Sequence, residues 1–365
     1  MKILFVSAVL PYPLHSGGQI RIYNLLKRLS KKHEIHLYAF IRSDKEKEYI
    51  PELSFCKKVI TVLRGRGLQP KYILKSIVGS YPILWEGYHN SEMLSLLSDE
   101  IVKGKYDLVH IEPGYVWPSI PTEHRTPIVV AEHNVEHEVY RQYVDAFPVS
   151  FLKPFLSIDV SKMIAWEKRC WDEAAKVVVV SENDQRKIRN SEVIPNGVDI
   201  SSFAFRPKKV LSKNLTFLYV GNFRWMENKD AAENITNNYW PVIKKNYPNA
   251  TLRIVGQGAP DGPITSIQDE LANTDILLAP IRVGGGTKFK ILEAMAEGVP
   301  VITTSLGASG IDKNVLWIAD TPDELDIRTV LAGSTKVKKA RQLIEDVYNW
   351  DTIVKALDTV WNSLS

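Results

Sequence analysis

A glycine-rich stretch, residues 282–290 (RVGGGTKFK), carries the residue types best suited to binding phosphate. Its glycines let backbone N–H groups converge on an anion, and the helix predicted to follow adds a positive dipole end. The stretch lacks the GKS/T ending of a Walker A loop. It therefore predicts a phosphate site of another class, formed by Gly284, Gly285, Gly286, Thr287, Lys288, Phe289 and Lys290.

Three further residues would complete a nucleotide site. Glu293 lies one turn along the predicted helix, where a carboxylate can accept hydrogen bonds from ribose hydroxyls. Its alternative role is that of an ordinary surface glutamate. Arg224 follows another predicted strand, and a cation there can balance a diphosphate leaving group without a metal. Lys229 has the same potential, but its position fits a solvated helix flank better.

A glycine pair, Gly17 and Gly18, follows the first predicted strand and precedes a helix that carries Arg21. Such a pair either lets amides approach an anion at the helix N-terminus or forms a plain tight turn. The GxGxxG fingerprint and its acidic ribose partner are absent, which weighs against a nicotinamide dinucleotide. We therefore expect no cofactor.

A histidine, His133, stands at the end of a predicted strand with acidic and amide neighbours. It could orient a sugar hydroxyl or handle a proton near neutral pH. The segment lacks the HExxH spacing of a zinc site, so no metal is expected. For Glu136 and His137 we expect a structural or capping role.

Short apolar runs alternate with amphipathic segments throughout, which is the rhythm of βαβ units. Uninterrupted β-branched runs predict strands buried on both faces, and hence parallel sheets covered by helices. The length of 365 residues favours two domains, and the Pro-Asn-Gly segment at residues 195–197 marks the boundary. We predict an α/β fold of two Rossmann-like domains, residues 1–195 and 196–335, with a helix over 336–365 returning to the first.

The composition of the chain argues against several classes of protein. The net charge of +4 is too small to indicate nucleic-acid binding, and two cysteines are too few for a disulfide framework. The apolar N-terminus lacks a cleavage site, and no run reaches the ~18 apolar residues that span a bilayer. These features predict a cytoplasmic protein.

A basic segment, residues 57–85, has six cations, interleaved apolar and aromatic residues, and no acidic residue. This pattern fits a segment attracted to anionic lipid headgroups, on the inner face of the membrane. A solvated face over a core helix is an equal alternative. Nucleic acid is disfavoured because no binding motif accompanies the charge.

Taken together, these motifs resemble the retaining family 4, or group 1, glycosyltransferases of GT-B fold, whose two Rossmann-like domains face a cleft. The most specific match is the block over residues 284–300, GGGTKFKILEAMAEGVP. Further matches are the loop at 13–18 and the segments at 132–136, 179–182, 194–199, 220–221, 252–256 and 279–280. The final segment containing Trp350 resembles the family's C-terminal helix.

The resemblance implies metal-independent, retaining transfer of a sugar from a nucleoside diphosphate sugar to a glycan or lipid-linked acceptor, as in surface polysaccharide or glycolipid synthesis. It implies that the donor diphosphate meets Gly17, Gly18, Arg224 and the amides near Thr287, with Lys290 as the further cation. The ribose would meet Glu293, the base would lie near Gly256, and His133 would touch the donor sugar.

The sequence departs from the family pattern at Gly285, where members with a paired-glutamate motif have a glutamate. Lys229 does not align cleanly with the usual basic residue, and the region at 256–264 is short. A nucleotide-sugar 2-epimerase of the same architecture is one rival, for which Glu112 and Glu132 are the candidate acid/base carboxyls. The other rival is a catalytically idle homologue that binds a partner.

Overall fold

The computed structural model describes residues 1–65, 69–103, 105–207, 214–284 and 288–364 and divides the chain into two compact units. Unit 1 comprises Met1–Ile194 and Val354–Ser365, and unit 2 comprises Pro195–Ile353. Each unit has its own parallel sheet and its own apolar core.

The first unit contains a seven-stranded sheet in the order β3-β2-β1-β4-β5-β6-β7. The inner strands β1, β4 and β5 are almost entirely buried because helices cover both faces, as their unbroken apolar runs predict. The strands are β1 (Lys2–Ser7), β2 (Glu34–Ile41), β3 (Lys58–Leu63), β4 (Leu108–Glu112), β5 (Ile128–Glu132), β6 (Lys176–Val179) and β7 (Ser191–Val193).

Seven α-helices lie before β7 in the described part of the chain. The first begins after Ser16, whose hydroxyl accepts a hydrogen bond from Gln19 N and so caps the helix. The helices are α1 (Gly17–Leu29), α2 (Pro70–Val78), α3 (Ile83–Glu86), α4 (Ser91–Lys103), α5 (Glu136–Asp145), α6 (Lys153–Glu173) and α7 (Glu182–Gln185). Short 3₁₀ segments lie at Asp44–Leu53, Gly114–Ser119 and Ser150–Leu152.

The second unit has a five-stranded parallel sheet in the order β12-β11-β10-β8-β9. Its strands are β8 (Thr216–Val220), β9 (Thr251–Val255), β10 (Ile276–Ala279), β11 (Val301–Thr303) and β12 (Trp317–Ile318). Its helices are α8 (Met226–Asn234), α9 (Trp240–Asn246), α10 (Ile267–Ala272), α11 (Phe289–Glu297), α12 (Ile327–Leu331) and α13 (Ser334–Asp346). A π-helical turn, Ile235–Tyr239, joins α8 to α9, and 3₁₀ segments lie at Ile200–Ser202, Lys313–Val315 and Pro322–Glu324.

The C-terminal segment differs from the single helix predicted over residues 336–365. It forms α13 and a separate α14 (Trp350–Asn362), because Asn349 Oδ1 accepts a hydrogen bond from Thr352 N at 2.8 Å and starts a new helix. Residues up to Ile353 belong to unit 2, and only Val354 onward belongs to unit 1. Pro195 likewise falls in unit 2 rather than in the first domain.

Candidate functional site

The chain order of the second sheet creates a natural binding edge. From β8 the chain moves to β9 on one side and then returns to β10 on the other side of β8. Ligands of doubly wound sheets bind at such a reversal, outside the carboxyl ends of the two strands. The segments that begin at residues 221 and 280 leave β8 and β10 at this edge, and α8 and α11 follow them in the chain.

Lys290, in the first turn of α11, is held at this edge by uncharged groups. Its Nζ donates to the Tyr219 hydroxyl at 3.0 Å and to Asn228 Oδ1 at 2.7 Å, and lies 4.2 Å from the centre of the Tyr219 ring. The Tyr219 hydroxyl in turn donates to Asn228 Oδ1 at 2.9 Å. None of these hydrogen-bond partners is a carboxylate, which suits a lysine that is to bind an anion.

Two ionisable side chains at this edge, Lys290 and Glu293, have pKa values shifted toward neutral pH. Burial, followed by the nearby charge of Lys288, lowers the pKa of Lys290 to about 7 against the opposing effect of Glu227 and Glu293. Burial raises the pKa of Glu293 to about 7, against the opposing effect of Lys290. A polyanion placed next to Lys290 favours its charged form. Anion binding and protonation of this lysine are therefore coupled.

Two positions at this edge, 221 and 256, have no room for a side chain and are therefore glycines. Gly256 has a φ of +124°, and a Cβ there would lie 2.0 Å from the carbonyl oxygen of Gly221. A Cβ on Gly221 would lie 2.6 Å from Asn228 Oδ1. Side chains at either position would therefore displace the loops that hold Asn228 against Lys290.

The remaining residues predicted for this site differ in their surroundings. Gly284 adopts a φ of +100°, and a Cβ there would lie 3.4 Å from Lys288 Nζ. The Phe289 ring packs 6.3 Å from that of Trp350, so its side chain serves packing. Arg224 and Lys229 are exposed. Gly285, Gly286 and Thr287 lie outside the described residues.

Asn228 and Tyr219, which position Lys290, were not predicted from the sequence. Tyr219 lies within a buried strand and Asn228 on the inward face of α8. Asn228 is adjacent to Lys229, the residue that the charge pattern singled out. The sequence signal that could have identified Asn228 is a polar residue on the face of α8 that is otherwise buried.

The first sheet contains a second reversal, between β1 and β4. Gly17 and Gly18 open α1 directly after the loop that follows β1, and His133 follows β5, the neighbour of β4. A Cβ on Gly18 would lie 3.3 Å from His133 Cε1. The glycine thus lets the His133 ring pack against the start of the helix.

A buried carboxylate, Glu112, orients His133. His133 Nε2 and Arg21 Nε each lie 2.7 Å from Glu112 Oε1, and His110 Nε2 lies 3.2 Å from Oε2. Burial alone would raise the pKa of Glu112, but the Arg21 charge and the hydrogen bonds from His110 and His133 hold it well below its ordinary value. Since the carboxylate is ionised, both imidazoles donate to it, which leaves Nδ1 of His133 on the side of Gly18.

The C-terminal helix contributes to the same network. Trp361 Nε1 donates to His110 Nδ1 at 3.1 Å, so His110 carries its proton on Nε2, which faces Glu112. Burial lowers the pKa of His110, consistent with a neutral ring. The last turns of α14 therefore help to fix the carboxylate on which His133 depends.

The other acidic residues near His133 are structural. The buried Glu132 accepts hydrogen bonds from Trp171 Nε1 at 2.9 Å and from Gly114 N at 3.3 Å. Burial and the neighbouring Glu167 raise its pKa well above the ordinary value. Glu167 accepts from the backbone N–H groups that open α5 and from the His137 ring.

The basic segment at residues 57–85 is divided between different environments. Lys58 lies in β3 and pairs with Glu100, and the Arg64 guanidinium lies 4.2 Å from the centre of the Tyr88 ring. Lys71 and Lys75 are exposed on α2. The segment as a whole is therefore not one interface, and Arg66 lies outside the described residues.

The described residues contain no group of three or more His, Cys, Asp or Glu side chains able to hold a metal ion. Cys56 and Cys170 are free and buried. No helix in the described part of the chain combines the length and apolarity needed to cross a bilayer.

Comparisons with known proteins agree with this architecture. Residues 15–202 match the family model described as Glycosyltransferase Family 4, and residues 214–330 match that of Glycosyl transferases group 1. A Klebsiella pneumoniae protein described as an uncharacterized 44.6 kDa protein in the cps region is 23% identical over 341 residues, covering 86% of this chain and 85% of the relative.

Solved structures extend the likeness to the fold. Anabaena Alr3699/HepE, in complex with UDP and glucose, superposes with a TM-score of 0.63 at 12% identity and covers 100% of both chains. A variant of S. aureus TarM, in complex with Fondaparinux, alpha-GlcNAc-glycerol and UDP, superposes with a TM-score of 0.67 at 12% identity, covering 99% of this chain and 100% of that one. The predicted fold class, two α/β domains with parallel sheets of GT-B type, is confirmed.

Proposed function

Because this chain belongs to Glycosyltransferase Family 4, we propose that it transfers a sugar from a nucleoside diphosphate sugar to an acceptor hydroxyl, without a metal and with retention of the anomeric configuration. The observation that carries the proposal is the setting of Lys290. It is a cation held by neutral groups in the first turn of a helix, at the edge where β8 and β10 end. Such an edge suits a diphosphate.

The chemistry requires stabilisation of a leaving group. The bond between the anomeric carbon and the diphosphate oxygen breaks, the acceptor oxygen bonds to that carbon, and the acceptor proton passes to the departing diphosphate. Negative charge develops on the diphosphate, so preorganised cations and helix N–H groups lower the barrier. We assign this role to Lys290, Lys288 and the N-terminus of α11, with Arg224 as a further cation and Glu293 as the acceptor of ribose hydrogen bonds.

In the first unit we assign contact with the donor sugar to His133, held in one tautomer by Glu112. The acceptor is proposed to be a glycan or a lipid-linked glycan. Two comparisons support this choice: the Klebsiella relative is described by its place in the cps region, and TarM was solved with carbohydrate ligands. We therefore propose a role in surface polysaccharide or glycolipid synthesis.

The 2-epimerase alternative is less well supported by the geometry. It needs carboxyl groups free to exchange protons with substrate. Glu112 is fully buried and bound by Arg21 and two histidines, and Glu132 is bound by Trp171 and the backbone of Gly114. Both carboxyls that the sequence offered for acid/base chemistry are thus engaged inside the first unit.

A turnover assay tests the proposal. The purified chain is incubated in EDTA with UDP-glucose, GDP-mannose, ADP-glucose or dTDP-glucose and a panel of glycan acceptors, and released nucleoside diphosphate is measured. We expect release with one donor, an α-linked product by NMR, and loss of most activity in Lys290→Met but not in Lys245→Met, an exposed lysine of the same unit. A product with inverted configuration, or a metal requirement, would overturn the mechanism, and binding without turnover of any donor would favour the idle homologue.

A further inference from the structure

Two neighbouring helices of the first unit expose a large amount of apolar surface. More than half of the exposed large apolar side chains in the described part of the chain lie in α2 or around the start of α6. Isolated exposed apolar side chains are ordinary, whereas a cluster of them marks a contact surface. The α2–α6 surface consists of Leu74, Ile77, Val78, Phe151, Phe155 and Ile158, whose exposure ranges from 58% to 82%.

Each helix presents its apolar residues as a stripe. On α2 they follow an i, i+3, i+4 spacing, and around the start of α6 an i, i+4, i+7 spacing, both of which place side chains on one helical face. In both stripes that face is turned outward, although an amphipathic helix normally buries it. The inward residues Tyr72 and Ser76 are buried, so α2 is anchored to the protein by its other face.

Polar contacts hold the two stripes next to each other. Asp159 Oδ1 accepts hydrogen bonds from Ser76 Oγ at 3.1 Å and from Ile83 N at 2.9 Å. Lys162 Nζ donates to the carbonyl oxygens of Gly79, at 2.8 Å, and Ser76. Ile77 directly follows Ser76, and Ile158 directly precedes Asp159. These contacts join α2 to α6 at residues adjacent to the two stripes.

The charged side chains within the two segments that form this surface are lysines and arginines. Neither residues 57–85 nor residues 146–158 contain an aspartate or glutamate. Lys71 and Lys75 are exposed on α2, and the partly exposed Lys153 stands between Phe151 and Phe155. An apolar centre whose rim is mainly cationic, with the exposed Asp145 next to Lys153, complements a surface of anionic headgroups above hydrocarbon. A second copy of this chain would bring the same lysines into repulsion.

We propose that the α2–α6 surface docks on an anionic lipid bilayer, with its aromatic and aliphatic side chains among the headgroups and its lysines against the phosphates. Relative to the basic segment at residues 57–85, this assignment adds the phenylalanines around α6 and removes strand β3. It goes beyond sugar transfer and does not rest on it, because lipid binding requires neither donor nor acceptor.

Vesicle flotation tests the inference. The full chain is mixed with vesicles of phosphatidylcholine alone or with about one third phosphatidylglycerol, and the bound fraction is measured at low and high salt. We expect binding to the anionic vesicles that weakens as salt increases. Reversing two lysine charges in Lys71→Glu/Lys75→Glu is expected to weaken binding about tenfold or more.

Control variants distinguish binding through the α2–α6 surface from the effect of adding acidic charge elsewhere on the protein. Ile77→Glu/Phe155→Glu should abolish binding, whereas Val102→Glu, an equally exposed apolar site on α4, should bind as the parent does. Lys31→Glu/Lys45→Glu is the charge control on exposed lysines of the same unit. All variants should keep the parent melting temperature and nucleotide binding, because the altered side chains are exposed.

Absence of binding to anionic vesicles would overturn the proposal. Equal binding by the surface variants and their controls would also overturn it. So would a dimer in sedimentation that Ile77→Glu/Phe155→Glu dissociates without any vesicle binding, since the surface would then serve a protein partner. None of these results bears on the proposed transfer, which is measured in the absence of lipid.

Discussion

Removing the charge of Glu112 should destabilise the first unit severely. Glu112 is fully buried, and its partner Arg21 is 1% exposed, with Nε 2.7 Å from Oε1. In Glu112→Gln the buried guanidinium loses its carboxylate, and breaking a buried pair on one side costs about 3–5 kcal/mol. The surface pair of Arg169 and Glu173, with side chains about half exposed, provides the control, and Glu173→Gln should cost less than about 1 kcal/mol.

Chemical denaturation of the parent and variants, with hydrogen exchange of the β4 amides as a local readout, measures these costs. The double variant Arg21→Met/Glu112→Gln should lose about 2 kcal/mol less than the sum of the two single variants, because each single leaves the other partner buried without its counterpart. A cost for Glu112→Gln no larger than that for Glu173→Gln would contradict a buried ion pair between Arg21 and Glu112, as would additive costs of the two single variants.

The effect also has a predicted pH dependence. The pKa of Glu112 is depressed in the folded protein, so its stabilising contribution is present above the ordinary carboxyl value of 4.5 and is lost as the pH falls through the lower folded value. The stability difference between the parent and Glu112→Gln should therefore shrink in acid. A difference that stays constant from neutral to strongly acidic pH would contradict the assignment of the charge.

Gly114, Glu132 and Lys290 each lead to a separate expected outcome. Gly114→Ala should lower stability by about 1–3 kcal/mol by denaturation, because the new Cβ would lie 2.2 Å from Glu132 Oε1 in the core; an unchanged midpoint would contradict this. Burial raises the pKa of Glu132, so folding takes up a proton, and above about pH 5 the parent should lose up to about 1.4 kcal/mol per pH unit that Glu132→Gln does not lose. Because the pKa of Lys290 is about 7, nucleotide binding at about pH 8 should take up a proton, seen by calorimetry in buffers of different ionisation enthalpy, and Lys290→Met should show none.

The fold could be predicted from the sequence because its strands are continuous apolar runs. Strands with such runs are buried on both faces, so the sequences of β4 and β5 alone were enough to predict a parallel sheet covered by helices. The glycine-rich stretch and the residues after it similarly predicted a site at a helix N-terminus, and α11 begins at Phe289 as that prediction requires.

What the sequence did not reveal depends on contacts between distant residues. Arg21 and Glu112 are separated by 91 positions, and nothing in either neighbourhood indicates that they pair. Asn228 was overlooked because its role depends on the close approach of Gly221, which only the folded loops define. The break between α13 and α14 was missed because an asparagine cap gives a weak signal inside a segment that is helical on both sides.

Calorimetric titration with UDP-glucose, GDP-mannose, ADP-glucose and dTDP-glucose in EDTA, on the parent, Lys290→Met and Lys245→Met, tests the proposed donor site directly. Lys290→Met leaves the hydrogen bond between Tyr219 and Asn228 in place, so its fold should be retained. One nucleotide sugar is expected to bind the parent and Lys245→Met equally and to bind Lys290→Met about tenfold or more weakly, because a charge-assisted contact is lost. Binding of no nucleotide sugar, or equal binding by Lys290→Met, would contradict the assignment of α11 as the donor site.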